Sequence, residues 1–503
     1  MNVFFMYPDA DFSLDTPLPE TAVDLIVDLD LARIFDAMAS EDPFVRKVVE
    51  RAVMVSLHDP EVIQYRQAIM QDALSHPDAV RRLYQLASEA LDRRKRHFYF
   101  GVTTRYPSSI LHESADLLTT MTDMLRQLKA EVGRDREAFG SPALTQFAAM
   151  LDRELSDEYL ATLAHYLGDL KQRDSVVLRA RLGQGLKSAG YTLLKSTKSG
   201  RWIDRLLRRG PAHYSFQIPD RDQGGITALS EIRDRGINEV ANALAQSAEH
   251  VLGFFQQLKT ELAFYLGGIH LAERLRERGY PVCLPDLAES EAWRLSFGSL
   301  RDVGLVLSTG QPVVGNDGAA QDLSLLVITG ANQGGKSTFL RSLGQAHLMA
   351  QAGLFVAAEH FASNIMAGLA SHFAREEDAS MERGKFEEEL ERMSRLMGAM
   401  RPGAFMLWNE SFQSTNEREG SDVAQEITRA LVDSGVRIAF VTHLNAYAEA
   451  LFQEHRPDCV FLRAERLDNG TRTYRIVPGP PMETSFGVDL YQEIFGQQHA
   501  GER

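Results

Sequence analysis

The run Gly330-Ala331-Asn332-Gln333-Gly334-Gly335-Lys336-Ser337-Thr338 carries the residue types that bind nucleotide phosphates. It fits the pattern G-x-x-x-x-G-K-[ST], in which glycines let the backbone N–H groups turn inward toward the phosphates. In that pattern the lysine reaches the β- and γ-phosphates, and the hydroxyl after it binds Mg²⁺. We therefore predict that ATP is bound by Gly330, Asn332, Gln333, Gly334, Gly335, Lys336, Ser337 and Thr338.

The sequence on either side of this run predicts the elements that would position it. Residues 323–329 are almost uninterrupted apolar sequence, which is typical of a strand buried on both faces of a parallel sheet. After the run, apolar residues recur at helical spacing as far as Gly353, a residue type that commonly ends helices. A strand, a loop and a helix in this order place the positive end of the helix dipole at the phosphates.

Two further predicted strands lead into side chains that could act on a phosphate. Residues 404–408 precede Asn409-Glu410, and residues 436–442 precede His443. The usual pair after the second strand is Asp-Glu, in which the aspartate holds the Mg²⁺ shell and the glutamate orients or deprotonates water. Glu410 can do the second task, whereas Asn409 offers the metal shell an uncharged amide oxygen. We predict catalytic roles for Glu410, His443 and Lys336, and metal-binding roles for Ser337, Asn409 and Glu410.

Composition limits the classes of function that the chain can serve. Its 503 residues carry a formal charge of −15, so the chain as a whole is not built to attract nucleic acid. The two cysteines, Cys283 and Cys459, lie far apart and favour a reducing compartment without a disulfide framework. The first residues lack the basic start of a signal peptide, and no apolar run approaches the ~20 residues of a membrane span. We expect a cytoplasmic protein without a membrane segment.

The hydrophobic pattern differs between two parts of the chain, which together predict an α + α/β protein. Residues 1–290 read as an all-helical domain, in which residues 237–269 repeat apolar positions at spacings of three and four. This repeat is typical of a coiled-coil-like lever, and a long core helix in a bundle explains it nearly as well. Residues 291–503 alternate strand and helix patterns, which predicts a mostly parallel sheet. Within them, residues 311–320 read as a loop, and Asn469-Gly470 predicts a hairpin turn.

Three motifs together resemble the ATPase domain of the MutS family of DNA mismatch-repair proteins. They are TGANQGGKST at the loop, FMLWNESFQSTNEREG after the second strand and FVTHLN after the third. That family has TGPN-x-GGKST, a strand ending in DE before a G-T-S-T loop, and ATH. Ser414-Thr415 match the tail of the G-T-S-T loop, and Ser485-Phe486-Gly487 resemble the family's late S-Y-G. The match covers roughly residues 300–495, and the segment Ser56-Leu57-His58-Asp59-Pro60-Glu61 with Arg66 is similar to the family's core segment.

The resemblance implies a phosphate-loop ATPase of the ABC type that uses ATP and Mg²⁺. It implies a homodimer whose subunits complete each other's nucleotide sites, through an element that matches residues 384–389, with Ser380 standing in for the family's serine. It also places Asn316 at the family's adenine contacts. The family's mismatch readers carry a Phe-x-Glu wedge in an N-terminal domain, and no Phe-x-Glu occurs in the first 300 residues of this sequence. We therefore expect no mismatch reading by that route.

A basic stretch interrupts the otherwise acidic sequence. Residues 171–209 contain eleven Lys or Arg and two Asp, a local charge of +9, together with Tyr191 and Trp202. Several Lys and Arg on phosphates would give salt-dependent DNA binding without sequence preference, and the aromatic rings could stack on bases. A solvated basic face or an acidic protein partner would explain the same composition. We predict a clamp-like insert at residues 171–215 that contacts DNA, as the resemblance implies.

Three functional hypotheses remain. The leading one is an ATP-hydrolysing dimeric switch that acts on DNA. The second is a nucleotide-gated clamp or scaffold with little hydrolysis, because Asn409 withholds charge from the metal, and it could bind DNA or a protein. The third is an ATPase of the chromosome-maintenance or recombination-repair kind. It ranks last because the L-S-G-G-type signature of that class does not occur in this sequence.

Overall fold

The structure is a computed structural model that describes residues 1–98, 107–171, 177–182, 188–194, 223–289, 292–375, 384–467 and 471–482. Its helices are α1 (Ala22–Asp28), α2 (Leu31–Ala39), α3 (Pro43–Met54), α4 (Pro60–Ser75), α5 (Pro77–Phe98), α6 (Pro107–Arg134), α7 (Pro142–Glu154), α8 (Asp157–Lys171), α9 (Gln223–Glu277), α10 (Val303–Ser308), α11 (Lys336–Gln351), α12 (Lys385–Ala399), α13 (Glu417–Asp433) and α14 (Asn445–Gln453). Its strands are β1 (Val177–Leu182), β2 (Ser188–Leu194), β3 (Asp286–Ala288), β4 (Leu295–Leu300), β5 (Asn316–Ala320), β6 (Leu325–Thr329), β7 (His360–Asn364), β8 (Leu369–Phe373), β9 (Phe405–Asn409), β10 (Arg437–Val441), β11 (Cys459–Arg466) and β12 (Arg472–Pro478).

The chain forms two compact units. The first consists of residues 1–3, 78–139 and 144–262, and the second consists of residues 4–77, 140–143 and 263–503. These units differ from the predicted division at residue 290. The difference arises because N-terminal helices pack with C-terminal elements: α1 contacts strand β8, and α3 contacts helix α11.

Long helices build the first unit. The predicted long helix is confirmed as α9, which runs for 55 residues. Within this unit Leu111 of α6 packs with Ile237 and Ala241 of α9, and Phe147 of α7 stacks on Phe254 of α9 with ring centroids 6.2 Å apart. Whether α9 forms a coiled coil stays a prediction. In the described part of the chain, no helix combines the length and the apolar character that crossing a membrane requires.

The prediction that residues 1–290 are all-helical is wrong at two places, the pair of strands β1 and β2 and the short strand β3 near residue 290. Strands β1 and β2 pair antiparallel, with Val177 opposite Leu194 and Leu182 opposite Ser188. The sequence of β1, VLRARL, alternates apolar and basic residues toward its end, which is the two-residue period of a strand. This hairpin lies inside the predicted basic insert. Most of the rest of that insert, Trp202 included, falls outside the described residues.

The second unit contains a six-stranded sheet in the order β12-β11-β6-β10-β9-β8. Neighbouring strands from β11 to β8 are parallel, and only β12 runs antiparallel to its neighbour β11. The three predicted strands are confirmed as β6, β9 and β10. The predicted hairpin is confirmed by the β11–β12 pairing, although its turn at Asn469-Gly470 lies outside the described residues.

A second sheet, in the order β3-β7-β4-β5, lies in the same unit. It corrects the prediction that residues 311–320 form a loop, because Asn316–Ala320 is strand β5, paired antiparallel with β4. The sequence of β5, NDGAA, consists of residue types that are depleted in strands. Pairing with β4, rather than local propensity, therefore makes this segment a strand.

One face of the six-stranded sheet is covered by α12, α13 and α14. Their apolar side chains pack with Met406 and Trp408 of β9 and with Phe440 of β10 in one buried cluster. Each large side chain fully buried there contributes about 2–3 kcal/mol. Helix α11 contacts β9 and β10 as well. A Cβ on Gly344 of that helix would lie 2.5 Å from Leu407 Cδ1, so the glycine permits the close approach.

The segment from Ser56 to Glu61 connects the N-terminal helices to the end of α11. Asp59 caps α4 by accepting a hydrogen bond from the Glu61 N–H at 2.8 Å, and Pro60 occupies the first turn. Leu57 N–H donates to the Gln351 carbonyl at 3.1 Å, and Gln351 Nε2 donates to the Leu57 carbonyl at 2.9 Å. The segment that is similar to the MutS core segment therefore has a structural role: it is hydrogen-bonded to the end of α11, the helix that follows the phosphate loop.

Arg66 supports the same junction from inside the core. It is only 1% exposed, and its guanidinium donates to the Met6 carbonyl at 2.8 Å and to the Ala352 carbonyl at 3.3 Å. The guanidinium also lies 4.7 Å from the centre of the Tyr7 ring. Gly353 follows with a φ of +83°, and a Cβ there would lie 2.4 Å from Arg66 Cβ. The predicted stop at Gly353 is confirmed, since α11 ends at Gln351.

We expect Arg66→Ala to lower the free energy of unfolding by about 3 kcal/mol, because two buried carbonyl groups lose their donor. Urea unfolding followed by circular dichroism measures the change. Arg33→Ala is the control, since Arg33 forms an exposed ion pair with Asp30 at 2.9 Å and its loss should cost below about 1 kcal/mol. Equal unfolding midpoints for the two variants would contradict the role of Arg66.

Candidate nucleotide-binding site

The phosphate-loop run connects the end of β6 to the start of α11. Gly330 and Gly335 adopt φ angles of 109° and 91°, a region that residues with a side chain rarely enter. Gly330 and Gly334 also lie against β11, where a Cβ on Gly334 would be 2.6 Å from the Ala464 Cβ. The glycines are therefore required both for the turn of the loop and for its contact with the neighbouring strand.

Lys336 is buried at the first position of α11. Its Nζ donates hydrogen bonds to the Gly330 carbonyl at 2.8 Å and to the Ala331 carbonyl at 3.1 Å. Burial lowers the pKa of Lys336 to about 8, and the nearby Glu410 carboxylate partly opposes that shift. Phosphate oxygens carry charge and are stronger acceptors than these carbonyls, so a bound phosphate would favour the charged lysine. The side chain therefore fits a phosphate ligand.

Ser337 and Asn409 meet at the edge of the sheet. Ser337 Oγ donates a hydrogen bond to Asn409 Oδ1 at 2.8 Å. Oxygen atoms are the ligands that Mg²⁺ prefers, and Mg²⁺ in such sites keeps several waters. The pair fits a magnesium ion with the serine as a direct ligand and the amide oxygen as an acceptor for a metal-bound water. Neither side chain supplies charge to the ion.

Glu410 and His443 are hydrogen-bonded to each other at the ends of β9 and β10. The His443 Nε2 and the Glu410 Oε1 are 3.1 Å apart. This hydrogen bond lowers the pKa of Glu410, the charge of Lys336 adds to the effect, and burial opposes it. Glu410 therefore stays a carboxylate at neutral pH and can accept a proton from water or orient it. Its φ of 58° is left-handed, a conformation that costs roughly 1–2 kcal/mol.

One cleft of about 560 Å³ is lined by Glu410, His443 and residues 332–338. The structure thus brings together the predicted loop, Glu410 and His443, with Asn409 in contact through Ser337. Gln413 also lines the cleft, and sequence reasoning missed it. Its Nε2 is buried and has no hydrogen-bond partner within the part of the chain that the structure describes. The sequence did contain a signal for Gln413, because this residue lies three positions after Glu410 in the loop that follows β9.

Asn316 is not among the described residues that line this cleft. Its side chain is buried, and its Oδ1 accepts a hydrogen bond from the Ile476 N–H at 2.7 Å. Asn316 thus holds β5 to β12. Strand β12 in turn flanks the phosphate loop, because Arg472 Nη1 donates to Gln333 Oε1 at 2.8 Å.

Tyr474 is a second residue that sequence reasoning missed. It has a left-handed φ of 60°, and its carbonyl oxygen would lie 3.3 Å from a Cβ on Gly335. The residue is 51% exposed. A strained, exposed aromatic residue on a strand beside a phosphate loop is a candidate surface for a nucleotide base. The late Ser485-Phe486-Gly487 motif lies outside the described residues.

Two family models match the chain. The model described as the MutS2 N-terminal domain matches residues 58–278, and the model described as MutS domain V matches residues 326–496. The second match contains the phosphate loop, Asn409-Glu410 and His443. Together the two matches extend over both the helical region and the sheet that carries the cleft.

Relatives with curated names agree with these matches. The DNA mismatch repair protein MutS of Chlorobium phaeovibrioides is 25% identical over 282 residues, which cover 55% of this chain and 31% of that protein. The DNA mismatch repair protein MutS of Thermotoga petrophila is 28% identical over 168 residues, which cover 33% of this chain and 21% of that protein. The chain therefore spans at most about a third of these relatives. With both family models and these relatives in agreement, the chain belongs to the MutS family.

Proposed function

We propose that this chain binds and hydrolyses ATP with Mg²⁺ at the 330–338 loop, as a dimeric switch that acts on DNA. The observation that carries the proposal is the convergence of three groups on one cleft. They are the buried Lys336 ammonium, the Ser337–Asn409 oxygen pair and the Glu410–His443 pair. The MutS domain V match over residues 326–496 supports the same activity.

The binding role falls to the loop and its neighbours. Lys336 Nζ exchanges the Gly330 and Ala331 carbonyls for oxygens of the β- and γ-phosphates, while the N–H groups at the start of α11 face the phosphates. Gln413 Nε2 supplies a further donor to the γ-phosphate or to the attacking water. Tyr474 offers its ring to the base, in addition to the contact predicted from Asn316.

The hydrolytic role falls to the ends of β9 and β10. Mg²⁺ would be held by Ser337 Oγ directly and by Asn409 Oδ1 through a water, and when bound it neutralises part of the phosphate charge. Glu410 orients water or accepts its proton. His443, 3.1 Å from Glu410, keeps the carboxylate charged and fixes its orientation.

A second function is favoured by Asn409. An amide at this position leaves Glu410 as the carboxylate of the cleft, so transition-state charge is less well balanced than with an Asp-Glu pair. A site of this kind could hold ATP and turn it over slowly. The chain would then act as a nucleotide-gated clamp or scaffold that binds DNA or a protein partner.

We expect Lys336→Ala to lower the ATP turnover by about 10²-fold or more, because a preorganised cation for the transferring phosphoryl group is lost. Steady-state phosphate release measures the change. Lys47→Ala, which removes an exposed lysine of α3, is the control and should hydrolyse ATP at the parental rate. Unchanged turnover in Lys336→Ala would remove the basis for hydrolysis at this loop.

We expect Asn409→Asp to raise the single-turnover hydrolysis rate about tenfold, which corresponds to ~1.4 kcal/mol of transition-state stabilisation. The new carboxylate can still accept the Ser337 hydrogen bond, and it adds charge to the metal shell. Rapid-quench measurements with enzyme in excess test this. A gain far above tenfold would favour the scaffold function for the parental chain, and a loss would show that the amide is adapted to hydrolysis.

DNA binding is the part of the proposal that rests on the basic stretch 171–209 and on the relatives' name as DNA mismatch repair proteins. We expect fluorescence anisotropy to detect binding that weakens by about 10³-fold between roughly 50 and 200 mM salt. The panel contains junctions, single strands, duplexes and mismatched duplexes, with and without ATP. Sedimentation of the same samples reports whether the chain dimerises.

Replacing Lys195, Lys198, Arg201 and Arg205 with Gln should weaken this binding and reduce its salt dependence by about 0.9 for each DNA phosphate that the protein no longer neutralises. The matched control replaces Arg93, Arg94 and Lys95. These side chains already form ion pairs with Glu89, Glu249 and Asp92, so the control should bind like the parent. If no DNA binds at low salt, the partner of the basic stretch is a protein.

A further inference from the structure

The loop after Glu410 has an unusual backbone. Glu410 and Phe412 both adopt left-handed conformations, with φ of 58° and 65°, and neither is glycine. Such conformations persist only where the surrounding contacts hold them. Phe412 is fully buried, and its ring lies against Trp408 at a centroid distance of 5.7 Å and against His372 at 5.9 Å.

The contact that holds this loop from outside comes from α12. Glu389 is 9% exposed, and its Oε1 accepts a hydrogen bond from the Phe412 N–H at 2.6 Å. Its Oε2 accepts a hydrogen bond from Ser414 Oγ. Both bonds are charge-assisted, which makes them stronger than bonds between neutral groups. One carboxylate therefore fixes the residues on both sides of Gln413.

Other elements restrain the loop from different directions. Ser411 Oγ donates to the His372 carbonyl of β8 at 2.9 Å, and the Glu410 N–H donates to the Val441 carbonyl at 2.8 Å. At Gly420 of α13, a Cβ would lie 2.3 Å from the Phe412 carbonyl oxygen. Phe412 thus sits between the Glu389 carboxylate and the backbone of α13. A shift of either helix would be transmitted to Glu410, two residues away.

Helix α12 also faces a second cleft, of about 720 Å³. Glu389 lines this cleft together with Glu410, Gln413 and Ser414. Glu410 and Gln413 therefore form the wall between the second cleft and the phosphate-loop cleft. A change in the packing of α12 would therefore move Glu410 and Gln413, which also line the phosphate-loop cleft.

We propose that Glu389 is a positioning residue for hydrolysis, which couples the position of α12 to the orientation of Glu410 and Gln413. The proposal rests on the proposed ATPase function and deepens it. Glu389 does not line the phosphate-loop cleft among the described residues, so its removal should disturb the chemical step and leave nucleotide binding intact.

The test compares Glu389→Ala, Glu389→Gln and Glu391→Gln. Glu389→Ala removes both acceptors, and we expect kcat to fall about 10²-fold while the nucleotide Kd stays within about twofold. Glu389→Gln keeps an acceptor for Phe412 and an amide that can donate to Ser414, so it should recover most of that loss. Glu391→Gln makes the same charge change at an exposed position of the same helix and should match the parent.

Gly420→Ala tests the loop from the opposite side, because the added methyl group collides with the Phe412 carbonyl. We expect the same separation of kcat from Kd in this variant. Unchanged kcat in Glu389→Ala, or a parallel loss of nucleotide affinity, overturns the positioning role. Circular dichroism confirms that each variant is folded.

Tryptophan fluorescence gives a readout that does not need hydrolysis. The chain has three tryptophans, and Trp408 contacts Phe412 edge to face. We expect Glu389→Ala to shift the emission of Trp408, and we expect Trp408→Phe to remove that shift. If the parental chain shows no ATP turnover, the proposed function fails. In that case an unchanged emission in Glu389→Ala separately overturns the contact between α12 and the loop.

Discussion

Parallel strand ends at one edge of the six-stranded sheet are the constraint on which the site depends. Val441 of β10 lies opposite both Ile328 of β6 and Asn409 of β9. Because the carboxyl ends of parallel strands meet at the same edge, the three segments that follow them meet there too. The side chains of β6, β9 and β10 are almost entirely buried on both faces of the sheet, so a shift in register would disrupt close-packed contacts on either face. The apolar core thereby fixes the spacing of the polar site.

Charge balance in the cleft explains why an amide at position 409 is compatible with the rest of the site. Lys336 and Glu410 are both partly removed from water, and each shifts the pKa of the other toward its charged form. A second carboxylate beside Glu410 would raise the pKa of one of the two acids unless a metal ion lay between them. With Asn409, one cation faces one anion, and the Ser337–Asn409 hydrogen bond is satisfied without a metal. The site is electrostatically stable before nucleotide arrives.

Local sequence predicted the parts of the site that depend on local structure. The strand–loop–helix around Gly330, the strands before Asn409 and His443 and the long helix α9 all follow from hydrophobic period and from glycine placement. The parts that depend on tertiary pairing were not visible. Strand β5 has a sequence that does not favour strands, and only its pairing with β4 makes it one. The family resemblance places Asn316 at the base, and nothing in the local sequence shows that its side chain bonds to Ile476.

The conformation of the loop that contains Phe412 and Gln413 was also not visible in the local sequence, because it depends on packing with other elements. A left-handed phenylalanine costs roughly 1–2 kcal/mol, and burying its ring returns about 2–3 kcal/mol. The two terms balance only because the ring packs in the cluster that contains Trp408 of β9 and Met393 and Leu396 of α12. The strained loop therefore exists as a consequence of how α12 packs on the sheet. Since Glu389 belongs to that helix, the carboxylate that bonds the loop and the apolar contacts that offset its strain move together. Any motion of α12 must then change both the hydrogen bonds of the loop and the packing of Phe412. The orientation of Glu410 therefore depends on the same helix that packs in the buried cluster.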